Sequence, residues 1–117
     1  MIYLILLLVK HWYIDFVMQT TAMAVSKKSY GSWLGIWHSL QHGIGTAVIT
    51  FLFGGLTPAL WFGLIDALLH YHIDWCKMNY GCQDLRDPKF WSHLGLDQLA
   101  HQLCYILYTV FLAAIWL

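Results

Sequence analysis

The run PALWFGLIDALLHYHIDWCK, residues 58 to 77, decides how the chain is read. It is apolar over most of its length, yet Asp66, His70 and Asp74 recur at four-residue intervals. Residues four apart lie on one face of an α-helix, one turn above another. The run therefore predicts a helix with a single polar stripe. Apolar residues cover its other faces, and its length at about 1.5 Å per residue matches roughly 30 Å of hydrocarbon.

Three more stretches have the same character, giving helices over about 1–23, 33–53, 58–77 and 94–117. Of the 117 residues, 60% are hydrophobic, 17% aromatic and only 10% charged, too apolar a mixture for a water-soluble domain of this size. The expectation is one domain, residues 1–117, all-α: a four-helix transmembrane bundle with up-down topology. The formal charge is zero and no basic run occurs, which excludes nucleic acid as a partner and leaves the lipid bilayer. Ile2 to Val9 lacks the basic flank and small-residue cleavage site of a secretory signal, so it is read as part of the first span. Cys76, Cys82 and Cys104 form no metal or redox motif and are expected to be free thiols.

Charge sets the orientation. Lys27 and Lys28 fall in the first connection, and Arg86 and Lys89 in the third, beside the turn signal Asp87-Pro88. The second connection, Gly54 to Pro58, is uncharged, with Thr57 expected to cap the next helix and Pro58 to occupy its first turn. The positive-inside rule then places the two basic loops in the cytoplasm of a bacterial inner-membrane protein, with both termini outside. Trp33, Trp37, Trp75 and Trp91 fall near the basic side and Tyr3, Trp61 and Trp116 near the other, as interfacial aromatic belts would.

Each span carries one pair of metal-ligand residues at i,i+4: His11 and Asp15, His38 and His42, His70 and Asp74, Asp97 and His101. Counted from the basic-loop end, the pairs sit about one to three turns into their helices, so eight ligands are expected in one layer near the cytoplasmic side. An ionisable group at that depth costs several kcal/mol unless it is paired or metal-bound. Imidazole with carboxylate suits a divalent metal: one or two ions, zinc foremost, manganese or iron as alternatives. The competing account is a metal-free His/Asp network, including a proton or ion relay. A relay calls for polar residues continuing toward the uncharged side, whereas Met1 to Val9 and Tyr105 to Leu117 read as almost wholly apolar.

Around the pairs, Gln19 prolongs the face of His11 and Asp15, and Gln98 adjoins Asp97, so both are expected to support the ligands. Lys77, about one turn beyond Asp74, is a candidate for holding an anionic substrate group or for snorkelling to the interface. Lys27 and Lys28 read as topology signals. Asp66 lies deeper and is a secondary ligand candidate, while His72 points off the stripe and His93 is expected in the loop. Gly35, Gly43, Gly45, Gly54, Gly55 and Gly63 permit close helix approach, within the chain or in a homo-oligomer.

The ordered set His11-x-x-x-Asp15-Phe16-x-x-Gln19, a lysine at 27 or 28, His38-x-x-x-His42, His70-x-x-x-Asp74-x-x-Lys77 and Asp97-Gln98-x-x-His101 resembles the small bacterial and tailed-phage membrane proteins grouped as domain of unknown function 3307. More distantly it resembles bacterial inner-membrane proteins described as metal-dependent hydrolases. The resemblance implies a membrane protein with a metal site. The expected activity is hydrolysis of an ester or phosphodiester, of a lipid or another membrane-associated substrate, at the cytoplasmic face. In it Asp15, Asp74, Asp97 and Lys77 are the catalytic candidates. A non-catalytic phage or bacterial membrane effector stapled by metal is the rival reading.

Overall fold

The computed structural model describes residues 1–117, and every regular element in it is helical. Helix α1 (Ile2–Trp12) continues as a π-helical turn through Tyr13–Met18. The chain then turns extended at Gln19, whose ψ of 123° ends the helix before the expected residue 23. A short helix α2 (Thr21–Ser26) follows, because Thr20 Oγ1 accepts a hydrogen bond from Met23 N at 3.2 Å and nucleates a new first turn. Helices α3 (Trp33–Gly54) and α4 (Leu56–Tyr80) form an antiparallel hairpin, and α5 (Pro88–Phe111) runs on as a π-helical turn to Trp116.

The α3–α4 turn is tighter than the sequence suggests. Gly55, at φ 80° and ψ −166°, ends one helix and begins the next, donating to Phe51 O while accepting from Ala59 N. Thr57 and Pro58 therefore lie inside the first turn of α4, and Thr57 is not its cap. At the other end, Asp87 Oδ1 accepts from Lys89 N at 2.9 Å and Pro88 takes the first helical position, so α5 starts before residue 94.

Backbone-to-backbone packing holds the hairpin together. A Cβ added to Gly43 would stand 2.6 Å from Gly63 O, and one added to Gly63 would stand 2.8 Å from Ala47 Cβ. Only glycine allows that approach, which here serves packing within the chain.

The interior is divided. Toward the termini, Tyr3, Leu7, Phe62, Tyr105, Tyr108 and Leu112 form the apolar core. Tyr3 is thus buried, its hydroxyl 2.8 Å from Thr50 Oγ1, and is not in an interfacial belt. The remaining interior is polar: of 25 buried residues, nine are hydrophobic and twelve polar or charged. Large apolar side chains such as Val48, Leu52, Leu60, Leu64, Leu68 and Leu107 face outward, each more than half exposed.

Of the helical stretches, Pro88–Trp116 alone is long and apolar enough to cross a membrane by its own length and composition. The other three predicted spans fall short for physical reasons. The first is broken at Gln19. The second and third carry the polar stripe, with His38, Ser39, His42, Thr46 and Thr50 on α3 and Asp66, His70, Asp74 and Lys77 on α4.

Candidate metal centre

All eight predicted ligands meet in one contiguous buried cluster, drawn from α1, α3, α4 and α5. The π-helical turn at Tyr13–Met18 carries Asp15 into its middle, an irregularity of the kind often found where a helix re-aims a functional side chain. Three groupings have their ligand atoms within 4.8 Å of one another: Asp15, His38, His42 and His70; His11, His70 and His101; Asp74, Asp97 and His101. These buried histidines and aspartates can hold a metal ion.

Asp15 is the hub of the first grouping. Its Oδ1 lies 3.0 Å from His38 Nε2, 2.9 Å from His42 Nε2 and 3.6 Å from His70 Nε2. Neighbouring ligands of one divalent ion, each about 2.0–2.2 Å from it, are themselves roughly 3.0–3.5 Å apart, so these spacings suit a common ion. The His42 and His70 rings stack with centroids 3.5 Å apart, and His101 stacks on His70 at 4.1 Å.

Asp74 is the hub of the second half. Its Oδ1 is 3.3 Å from His101 Nε2, and its Oδ2 is 3.0 Å from His70 Nε2 and 2.8 Å from Lys27 Nζ. None of the contacts to Oδ2 has hydrogen-bonding geometry. His70 Nε2 and Asp74 Oδ2 are both fully enclosed without a hydrogen-bond partner, and so is Asp97 Oδ1. Buried polar atoms in native proteins are nearly always satisfied; the Lys27 ammonium offsets the charge at Asp74 Oδ2, whereas His70 Nε2 and Asp97 Oδ1 are left over and mark a place suited to a cation.

The flanking residues divide. Gln98 bridges the halves, its Oε1 3.0 Å from His11 Nε2 and its Nε2 donating to Asp97 Oδ2 at 3.1 Å. Gln19 sits in the break after α1, where the backbone turns extended, and its Oε1 is buried without a hydrogen-bond partner. Lys77 Nζ pairs with Asp97 Oδ2 at 3.2 Å. Lys27 is buried against Asp74 while Lys28 is exposed, so Lys27 belongs to the cluster and is no mere topology signal. His72 is exposed and bonded to Tyr30 Oη, whereas His93 lies on α5, not in the loop.

Sequence reasoning missed a second polar layer. Lys10 Nζ donates to Asp66 Oδ2 at 3.0 Å, to Tyr105 Oη at 3.2 Å and to His42 O at 3.3 Å. Thr46 also donates to Asp66 Oδ2, at 2.6 Å. Since Tyr105 Oη accepts from Lys10, its own proton goes to His11 Nδ1, 2.9 Å away. His11 then presents Nε2–H to Gln98 Oε1, with Asp15 Oδ2 close by at 3.2 Å. The outer halves of α1 and α5 are therefore not wholly apolar inside. The four-residue spacing of Asp66, His70 and Asp74 had marked Asp66, but no local pattern pointed to its partners Lys10 and Thr46.

A helical bundle with an apolar exterior and a core of histidines and aspartates able to hold a metal ion is the class that fold and site define. A family model described as "Protein of unknown function (DUF3307)" matches residues 3–116, and the chain belongs to that family. No curated protein and no solved structure matches it.

Proposed function

We propose that the chain is a multi-pass protein of the bacterial inner membrane that holds one or two divalent ions and hydrolyses an ester or phosphodiester at the cytoplasmic face. The observation that carries the reading is the convergence of Asp15, His38, His42 and His70, whose ligand atoms lie within 4.8 Å of one another and among which His70 Nε2 is buried without a hydrogen-bond partner. The inside-out distribution of polarity supports lipid as the solvent: charged pairs inside, leucines outside. Asp15, His38, His42 and His70 would hold one ion, and Asp74, Asp97 and His101 the other. Zinc is the ion best matched to this donor set, with manganese and iron next.

A divalent ion in such a site supplies a nucleophile by lowering the pKa of its bound water and polarises the oxygen under attack. The chain's own part is positional. Asp97 Oδ2 is held by Lys77 and Gln98, which leaves Oδ1, 3.6 Å from His101 Nε2, as the oxygen that would face the ion. Lys77, partly open to the outside, is placed to hold an anionic group of the substrate.

Elemental mass spectrometry on detergent-purified protein tests the reading. Stoichiometric zinc, manganese or iron, lost in His38→Ala and in Asp97→Ala, is the expected result. Well-folded wild type without metal from metal-replete cells sinks it. A second reading, a His/Asp relay without metal, is favoured by the Lys10–Asp66–Thr46 layer, which carries polarity beyond the ligands. It calls for proton flux in proteoliposomes and no bound metal.

A further inference from the structure

A cleft of about 430 Å³ runs between α4 and α5. Leu69, Ile73, Leu96 and Ala100 give it apolar walls, and Lys77, His93 and Asp97 lie along it as well. A second hollow of about 230 Å³ lies between α2 and the α4–α5 connection, and Lys77 and His93 line both. These two side chains thus stand where the two hollows meet, the polar groups between largely apolar walls.

Their hydrogen bonds leave donors available at that junction. His93 Nδ1 accepts from Cys82 N at 2.8 Å, which places the ring proton on Nε2 and makes that nitrogen a donor. Lys77 gives one N–H to Asp97 Oδ2, and an ammonium has two more. An anion at the junction would meet a cation and a neutral N–H donor, next to a carboxylate of the ligand cluster.

We propose that this junction is a binding site for a lipid with a phosphate-bearing headgroup, the acyl chain lying in the α4–α5 cleft and the phosphate on Lys77 and His93. The assignment rests on the hydrolase reading for the chemical step after binding, since it sets the bond next to the headgroup beside Asp97. The cleft is of ordinary size for a ligand pocket, and its apolar walls suit an alkyl chain and not a sugar or nucleotide. Free phosphate shares the headgroup chemistry but gains nothing from those walls.

The test is isothermal titration of the full chain in nanodiscs of uncharged lipid with dodecyl phosphate, inorganic phosphate and dodecyl maltoside. Dodecyl phosphate is expected to bind far more tightly than the other two. Lys77→Met and His93→Phe should each weaken it by about tenfold or more, as for loss of a charge-assisted hydrogen bond. Ala100→Phe, which fills the slot without touching a donor, should weaken dodecyl phosphate and leave metal content unchanged. Equal affinity for inorganic phosphate would overturn the lipid assignment, and affinity unchanged in all three variants would overturn the site. Because binding is read without turnover, dodecyl phosphate held through Lys77 by a metal-free or inactive protein would defeat the hydrolase reading alone.

Discussion

Lys10 Nζ and Asp66 Oδ2 form an ion pair 3.0 Å long whose side chains are 8% and 2% exposed, one layer deeper than the His/Asp cluster. The lysine fits because Gly45 makes room: a Cβ there would lie 2.8 Å from Lys10 Cδ. Removing one partner strands the other charge in a buried site. Lys10→Met and Asp66→Leu should each destabilise the fold by about 3–5 kcal/mol, while the double variant recovers most of the loss. Denaturation in mixed micelles measures this, and additive losses in the double variant would count against the pair.

The two lysines of the first connection should behave differently. Lys27 is buried on Asp74, and Lys28 is exposed. Lys28→Met should change stability by no more than about 0.5 kcal/mol, whereas Lys27→Met should cost several times that. The same pair of variants identifies Lys27 as the lysine of the family pattern if metal content falls with Lys27→Met alone.

Close approach of α3 and α4 leaves no space for added side chains at Gly43 and Gly63. Gly63→Leu should force the hairpin apart and destabilise by about 1–3 kcal/mol or more. His42 and His70 face each other across the same interface, so the variant should also lose metal without any ligand having been changed. Retained metal with a lowered melting temperature would separate packing from the site.

Chelation of the proposed ions should lower the melting temperature, because it leaves His70 Nε2 and Asp97 Oδ1 enclosed and unsatisfied. Thermal scans with and without a chelator, followed by readdition of zinc or manganese, check this. A melting temperature indifferent to chelation would indicate that the polar network is complete without metal.

The four i,i+4 pairs were legible in sequence because helical periodicity alone places each pair on one face, whatever the helix packs against. That Asp15, His38, His42 and His70 converge on one point, and Asp74, Asp97 and His101 on another, was decided by the tertiary structure. The break at Gln19, which directs Lys27 back onto Asp74, depends on the local competition between helix continuation and the Thr20 cap. The Lys10–Asp66 pair was hidden because its partners are 56 residues apart and no local pattern links them. Composition and period determined the helices and their polar stripes, since both are properties of the local chain. Which stripes meet, which lysine is buried and where Lys77 and His93 stand relative to the α4–α5 cleft follow only from packing, because distance in space between remote residues is set by glycine contacts and helix breaks.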